Sequence, residues 1–419
     1  MGQTLSEPVV EKHTTSGGDE RFLYGASAMQ GWRISMEDAH TTLLKLGTDG
    51  ESAFFAVYDG HGGQATAKFA GAELHNFVIK DENYANGKFE EAIKAGYLTA
   101  DGVLRENPDM ANDSSGCTAV CVLLTRDGRV FCGNAGDSRC VISNDGKAEA
   151  LSHDHKPTDD VEFNRIVSGG GFVEFGRVNG NLALSRAIGD YEFKNNRTLP
   201  AEKQIVTANP DVVGRTLTSA HEFLVIACDG IWDCMTNEQV VQFVHAKVVE
   251  GKKLDQICED MMDRCLASES ELGGVGCDNM TVIIVALLNG RSEAEWYEHV
   301  KAVAEASGQK SSPKIDRPSA DADMHDDSNA IINAIISRTA HDVDDDDADI
   351  ATSDSSPHLS DATSHVDTHA DVADAPANDI SAHGLSNSSK TAEADKDDLA
   401  NSPKPAEASK GEQKAASEN

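Results

Sequence analysis

Short strand-like runs joined by tight turns fill much of the first 290 residues, and they limit the folds open to this chain. SGCTAVCVLLT (115–125) and RVFCGNAG (129–136) flank Asp127-Gly128, a strong hairpin signal. SRCVIS (138–143) ends at another such turn, Asn144-Asp145-Gly146. Consecutive hairpins indicate an antiparallel sheet rather than parallel βαβ units.

Helical patterns fall in separate groups between the strands. Periodicity and capping signals predict helices at about 64–80, 88–105, 159–168, 236–249, 254–268 and 292–306. EFLVIACDG (222–230) is apolar on both faces, which is typical of a strand covered on both sides. The predicted fold class is α+β: a central antiparallel β-sandwich flanked by pairs of helices, in α-β-β-α layers. We expect a polar loop at about 30–51 and a mobile loop region at about 169–210.

Composition divides the chain at about residue 300. All aromatic residues and all cysteines lie at or before Tyr297, and from Lys301 onward about 25 Asp and Glu stand against about 10 Lys and Arg. A segment of that composition cannot bury enough apolar surface to offset its ordering entropy. We therefore expect a folded domain over 20–290, a short amphipathic helix over 291–306, and a disordered acidic tail over 307–419.

Charge and cysteine usage narrow the function. The formal charge is −35, of which about −20 belongs to the first 300 residues. Such an acidic body is a poor candidate for binding nucleic acid and is repelled by anionic membranes. Nine cysteines without a CxxC pair indicate reduced thiols in a cytoplasmic and/or nuclear protein. No apolar run reaches transmembrane length.

The first residues, MGQTLS, match the N-myristoylation pattern at Gly2. A Gly at position 2 and a Ser at position 6 also coincide often by chance, so both interpretations of segment 1–19 stay open. One myristoyl chain binds membranes only marginally, on the order of 10⁴ M⁻¹, and no polybasic segment accompanies it. We expect at most weak membrane contact.

Acidic residues recur at the ends of strand-like runs. They are Glu37 and Asp38 in GWRISMEDAH, Asp59 in AFFAVYDGHGG, Asp229 in EFLVIACDG, and Asp278 in DNMTVIIVALL. Each alone could be a turn, but together they favour a cluster, and carboxylates at the ends of buried strands need positive partners. All-oxygen ligands suit Mg²⁺ or Mn²⁺. Two such ions can generate a hydroxide at neutral pH.

Two further side chains fit the hydrolysis of a phosphate ester. Arg33 offers a fork for a phosphate dianion, although a surface ion pair with Glu37, four residues on, explains the spacing equally well. His61 directly follows Asp59-Gly60 and would lie within reach of whatever the cations bind. A surface His after a strand-ending turn is the alternative.

Seven motifs occur in one order along the chain: GWRISMEDAH, VYDGHGG, SGCTAV, GNAGDSR, LALSRAIGD, ACDGIWD and GCDNMTV. Together they strongly resemble the metal-dependent serine/threonine protein phosphatases of type 2C, over about residues 20–290. The opening MGQTLSEPVV with an acidic tail is similar to fungal members. The resemblance implies a β-sandwich flanked by helices, with a centre of two Mn²⁺ or Mg²⁺ ions at one end and a third ion beside them.

The resemblance also implies a role for each site residue. The implied metal ligands are Asp59 bridging the two ions, the Gly60 carbonyl, Glu37, Asp229, Asp278, and Asp137 for a third ion. The implied catalytic and substrate-binding residues are Asp38 supporting the bound waters, Arg33 on the phosphate, His61 as general acid to the leaving Ser or Thr oxygen, and Arg186 on the substrate. Residues around 160–192 would form a flap beside the cleft.

The expected function is dephosphorylation of phosphoserine and phosphothreonine proteins. A catalytically silent phosphoprotein-binding or scaffold module is the alternative; such a module is expected to have lost ligands, and here every acidic motif is intact. In the tail, AIINAIIS (330–337) fits either a short helix that docks a protein partner or a transient helix without function.

Overall fold

Two antiparallel sheets form the centre of the molecule, whose computed structural model describes residues 4–47, 50, 52–110, 113–270 and 274–306. Numbered in chain order, the strands of the first sheet lie in the order β1 (Thr4–Gly18), β2 (Phe22–Arg33), β16 (Met280–Leu287), β15 (His221–Ala227), β9 (Arg139–Asn144), β10 (Lys147–Ala150). Those of the second sheet lie in the order β14 (Asp211–Thr216), β8 (Arg129–Ala135), β7 (Ala119–Leu124), β4 (Ser52–Tyr58), β3 (Ala39–Leu46).

Two smaller sheets and eight helices complete the described part of the chain. A three-stranded sheet has the order β13 (Ile188–Gly189), β6 (Gly116–Cys117), β5 (Gly60–His61), and a hairpin joins β11 (Val173–Glu174) to β12 (Arg177–Val178). The helices are α1 (Ala65–Lys80), α2 (Glu82–Ala85), α3 (Phe89–Glu106), α4 (Asp160–Ser168), α5 (Asp229–Trp232), α6 (Asn237–Val249), α7 (Leu254–Cys265) and α8 (Glu293–Ala306).

Side chains of the central strands point alternately to the two faces of each sheet, and this produces three apolar layers. In β4, Phe54 and Tyr58 pack with α1 and α3, whereas Phe55 and Val57 face the other large sheet. The strands β15 and β16 likewise send one set of side chains between the sheets and the other toward α5 to α8. Because successive side chains point to opposite faces, both sheets are covered on both sides, and the predicted α-β-β-α layers are confirmed.

The predicted helices are confirmed to within a few residues. The best-defined start is that of α6, where the Thr236 hydroxyl accepts the backbone N–H of Gln239 and the Gln239 side chain accepts the N–H of Thr236. This reciprocal capping box satisfies two of the N–H groups that a helix start leaves unpaired.

Three segments differ from the sequence prediction. The predicted polar loop contains β3, and the N-terminal segment contains β1, so the first sheet begins at Thr4, before the predicted domain start at residue 20. β1 is an edge strand held on α7 by Lys12–Asp263 and Thr14–Glu259 contacts, each of 2.6 Å. Residues 169–210, predicted to be a mobile loop region, contain the short strands β11, β12 and β13 and contribute to a separate apolar cluster.

Some predictions fall outside the described residues. These are the tail over 307–419 with its docking segment, and the myristoylation signal at Gly2. Among the described helices, none is long and apolar enough to cross a membrane. All nine cysteines are free thiols.

The amphipathic helix α8 is part of the folded core. Trp296 is fully buried, and its indole N–H donates to the Glu222 carbonyl at 2.9 Å. We expect Trp296→Ala to lower the free energy of unfolding by about 3–5 kcal/mol in chemical denaturation. Glu298→Ala, on the exposed face of the same helix, should change it by less than about 0.5 kcal/mol. Equal stability of the two variants would contradict this packing.

Candidate metal centre and active site

Asp59 directly follows the last residue of β4 and is fixed by backbone contacts to Thr118. The Asp59 N–H donates to the Thr118 hydroxyl at 3.2 Å, and the Thr118 N–H donates to the Asp59 carbonyl at 2.9 Å. Directly afterwards, Gly60 and His61 pair with β6. A Cβ on Gly60 would lie 2.3 Å from the Glu37 carbonyl oxygen, so only glycine lets the DGHGG and GWRISMEDAH segments approach this closely.

Asn279, next to Asp278, anchors the loop that carries Glu37 and Asp38. Its amide donates to the carbonyls of Gln30 and Ser35 at 2.8 and 3.0 Å, and its oxygen accepts the Glu37 N–H at 3.0 Å. The Glu37 carboxylate accepts the N–H of Gly63 at 3.1 Å. The start of β16 therefore fixes the loop that carries Glu37 and Asp38 against the DGHGG turn.

The predicted carboxylates converge on one region. Ligand atoms of Asp38, Asp59 and Cys228 lie within 4.8 Å of one another. Burial, followed by the negative charges of Asp229, Asp38 and other acids, raises the pKa of Asp59 well above its usual value. Burial also raises the pKa of Asp38 to about 7, although a hydrogen bond from Thr281 opposes the shift. The cluster therefore holds more negative charge than its own surroundings compensate.

Two carboxylate oxygens of the cluster are available as ligands for a cation. Oδ1 of Asp38 and Oδ1 of Asp229 are buried and have no hydrogen-bond partner within the described residues. Buried oxygens of this kind are costly unless a donor or a cation satisfies them. The Cys228 sulfur is already engaged: it accepts the Thr281 N–H at 3.1 Å and donates to the Asn279 carbonyl at 3.6 Å. Burial, and then the nearby acids, raise the pKa of this thiol. The donor set fits hard divalent cations.

Asp137 lies near the cluster but already has a positive partner. Lys156 donates to its carboxylate at 2.6 Å. Burial alone would lower the pKa of Lys156, but Asp137 outweighs it and raises the pKa to about 12. Asp233, one helical turn after Asp229, has its pKa raised to about 6 by burial, with Lys156 opposing. Sequence reasoning missed Asp233, although ACDGIWD contains it, and it missed Lys156, which no local signal marks.

Arg33 and Asp278 form an ion pair at the edge of the cluster. The Arg33 side chain keeps 43% of its exposure, and a guanidinium has five N–H donors in a fixed fork. Burial raises the pKa of Asp278, and Arg33 opposes that shift. Arg33 thus lies beside the carboxylates with donors left for an anionic ligand. The expected alternative, an ion pair with Glu37, does not form.

His61 contacts a residue that sequence reasoning did not assign. Its Nε2 lies 2.7 Å from Oδ2 of Asp190. Burial lowers the pKa of His61, but the hydrogen bond and charge of Asp190 outweigh burial, so this pKa lies above its usual value. The available signal was the last position of the LALSRAIGD motif.

Arg186, expected to contact the substrate, forms ion pairs with two carboxylates. It is buried, and its guanidinium donates to Glu162 at 2.6 Å and to Asp211 at 2.7 Å. These carboxylates already engage the Arg186 guanidinium, and its role in substrate binding stays a prediction.

Comparison with known proteins identifies the family. The Protein phosphatase 2C family model matches residues 22–272. The chain is 53% identical to protein phosphatase 2C homolog 2 of Hypocrea jecorina, over 75% of this chain and 74% of that protein. It is 55% identical to a probable protein phosphatase 2C of Caenorhabditis elegans, over 70% of this chain and 82% of that protein. A solved phosphatase from Toxoplasma gondii, 26% identical, matches with a TM-score of 0.58 over 68% of this chain and 97% of that one.

The chain therefore belongs to the protein phosphatase 2C family. It is a metal-dependent protein serine/threonine phosphatase, similar to fungal members.

Uncompensated charge at Asp59 has a consequence for stability. Because its pKa is raised in the folded state, the metal-free protein loses stability as pH rises from about 4, the unfolded value, through the folded value. Asp59→Asn imitates the neutral carboxyl. In EDTA at pH 7 we expect the Tm of this variant to exceed that of wild type by a few degrees, since about 1 kcal/mol shifts Tm by roughly 2–4 °C.

Adding Mn²⁺ should reverse the order of the two proteins, because only wild type keeps the full ligand set and gains stability from binding. Differential scanning fluorimetry in EDTA and in Mn²⁺ measures both shifts. A variant that is less stable in EDTA and equally stabilised by Mn²⁺ would contradict the charge cluster.

Proposed function

We propose that this protein hydrolyses phosphoserine and phosphothreonine in proteins by direct attack of hydroxide on phosphorus, with Arg33 binding the phosphate and His61 acting as general acid. The observation that carries the proposal is the convergence of strand-end carboxylates beside the half-exposed Arg33 and His61. Two buried oxygens of these carboxylates have no partner among the described residues. A silent binding module has no need of such a costly arrangement.

Two Mn²⁺ or Mg²⁺ ions, with a third beside them, complete the proposed site. Bound there, such a pair supplies a hydroxide at neutral pH and offsets the charge of the phosphate. The residues that would hold the ions are Asp59, the Gly60 carbonyl, Glu37, Asp229 and Asp278, with Asp137 for the third. Asp38, whose Oδ2 accepts from Thr281 at 2.7 Å, would orient water in the site.

Arg33 and His61 would bind the phosphate and protonate the leaving oxygen, respectively. Arg33 can present two parallel N–H groups to phosphate oxygens, which fixes the orientation of the ester. As the bond between phosphorus and the Ser or Thr Oγ breaks, that oxygen gains negative charge, and a proton from His61 lets it leave as a hydroxyl. Among so many acids, the half-exposed guanidinium of Arg33 supplies positive charge and free N–H donors for the phosphate dianion.

Phosphoproteins are the proposed partners, and nucleic acid is not. The free thiols support a cytoplasmic and/or nuclear location. The acidic tail is proposed to dock protein partners, and Gly2 to give at most weak membrane contact.

Activity should require the metal cluster. We expect release of phosphate from a phosphothreonine peptide in Mn²⁺ to fall to background in EDTA, and to fall at least about 10³-fold in Asp59→Asn, since each hydrolysis needs the full stabilisation of the attacking hydroxide. Phosphate release assayed with malachite green measures this. An inactive wild-type protein that still binds phosphopeptide would support the silent binding module instead.

The loss of kcat on removing the His61 proton donor should increase with the basicity of the leaving group. His61→Ala should slow hydrolysis of a phosphothreonine peptide by about 10²–10⁴-fold, but slow p-nitrophenyl phosphate only slightly, because nitrophenolate leaves without protonation. Comparing kcat for the two substrates tests the role. Equal losses on both substrates would exclude His61 as general acid.

A further inference from the structure

We propose that Asp190 is the positioning residue for His61: it holds the imidazole through Nε2 and thereby leaves Nδ1 as the atom that protonates the leaving oxygen. This inference rests on the general-acid role proposed for His61. Oδ2 of Asp190 lies 2.7 Å from Nε2, and within the described residues the His61 ring has no other hydrogen-bond partner. The Asp190 side chain is 5% exposed and that of His61 is 28% exposed.

The small three-stranded sheet brings these two residues together. His61 in β5 and Gly189 in β13 both pair with Gly116, which lies between them in β6. A Cβ on Gly116 would lie 2.3 Å from Oδ2 of Asp190 and 2.5 Å from Nε2 of His61. The pair therefore packs directly over this glycine, and nothing larger fits beneath it.

Asp190 is held in place by its chain neighbours. The Gly189 N–H donates to the Asp101 carboxylate at 2.8 Å, and the Tyr191 hydroxyl donates to the Asp101 carbonyl at 2.8 Å. Between these anchors Asp190 itself adopts φ 52°, in the left-handed region that Asp and Asn tolerate better than most residues. Such a conformation, fixed on both sides, aims one carboxylate at one ring.

A carboxylate that accepts from one imidazole nitrogen determines which nitrogen carries the other proton. With Nε2–H donated to Asp190, the proton transferred to the Ser or Thr Oγ comes from Nδ1, and the ring keeps its Nε2 proton afterwards. Without Asp190 the ring can rotate or adopt the other tautomer, and transfer becomes inefficient. The effect acts only through His61.

Asp190→Gly tests this, because glycine accepts the left-handed backbone and removes the carboxylate. We expect kcat for a phosphothreonine peptide to fall about 10–100-fold, with little change for p-nitrophenyl phosphate and with an unchanged Mn²⁺ concentration dependence. Asp190→Asn, which keeps an acceptor oxygen, should recover part of the loss. In a His61→Ala background, Asp190→Gly should cause no further loss.

Asp145→Gly is the matched control, since Asp145 also has positive φ (47°) but lies in the exposed turn between β9 and β10; it should behave as wild type. Equal losses on both substrates, or a further loss in the His61→Ala background, would show that Asp190 is merely structural and overturn the inference. Failure of the proposed function looks different, because wild type then lacks Mn²⁺-dependent hydrolysis or His61→Ala affects both substrates equally.

Discussion

Carboxylates that lie close together in a half-buried site repel one another, and any movement that separates them is favoured. Asp59, Asp229 and Asp278 cannot separate cheaply because each adjoins β4, β15 or β16, strands that are buried on both faces. Shifting one acid would drag apolar side chains out of two core layers, at about 25 cal/mol per Å² exposed. Apolar burial therefore stabilises a charge arrangement that is unfavourable by itself, and cations that fit the cluster relieve it.

Acids from both sheets are needed for this arrangement. Asp59 comes from the second sheet, whereas Asp229 and Asp278 come from the first. Hydrogen bonds from the β16 end of the first sheet to the loop before β3 help to set the spacing of these acids. Thr281, in β16, donates to Asp38, and the Asn279 oxygen accepts from the Glu37 N–H. A sandwich whose sheets slid on one another would lose the cluster, so the layer of side chains between the sheets is as important to the site as its ligands.

Sequence reasoning succeeded where the determinants are local. An apolar strand-like run before a turn identified β4, and the Thr236–Gln239 box identified α6. The prediction failed for β1, which is largely exposed, and for β3, which is mostly only partly buried. The polar residues of both outer strands resemble those of loops. In the site, acids at strand ends were predictable, but Asp190 was not, since it lies 129 residues from His61 and depends on strands of two residues.

Arg186 shows how two kinds of buried charge can be told apart once the fold is known. At α4 and β14, Arg165 and Arg186 lie against Glu162 and Asp211. Burial raises the pKa of Glu162, but hydrogen bonds from Arg186 and the charge of Arg165 outweigh it and lower the pKa to about 2. The two positive and two negative charges of this group balance, which is typical of structural ion pairs.

The acid cluster has no such balance, because Arg33 and Lys156 lie beside at least five carboxylates. Burial, and after it the charges of neighbouring acids, raises the pKa values of Asp59 and Asp229. Lys156 also precedes α4 by four residues, so its contact with Asp137 connects the start of α4 to the acid cluster. It is the uncompensated charge, rather than the presence of Arg or Asp in a motif, that distinguishes the functional cluster from the structural one.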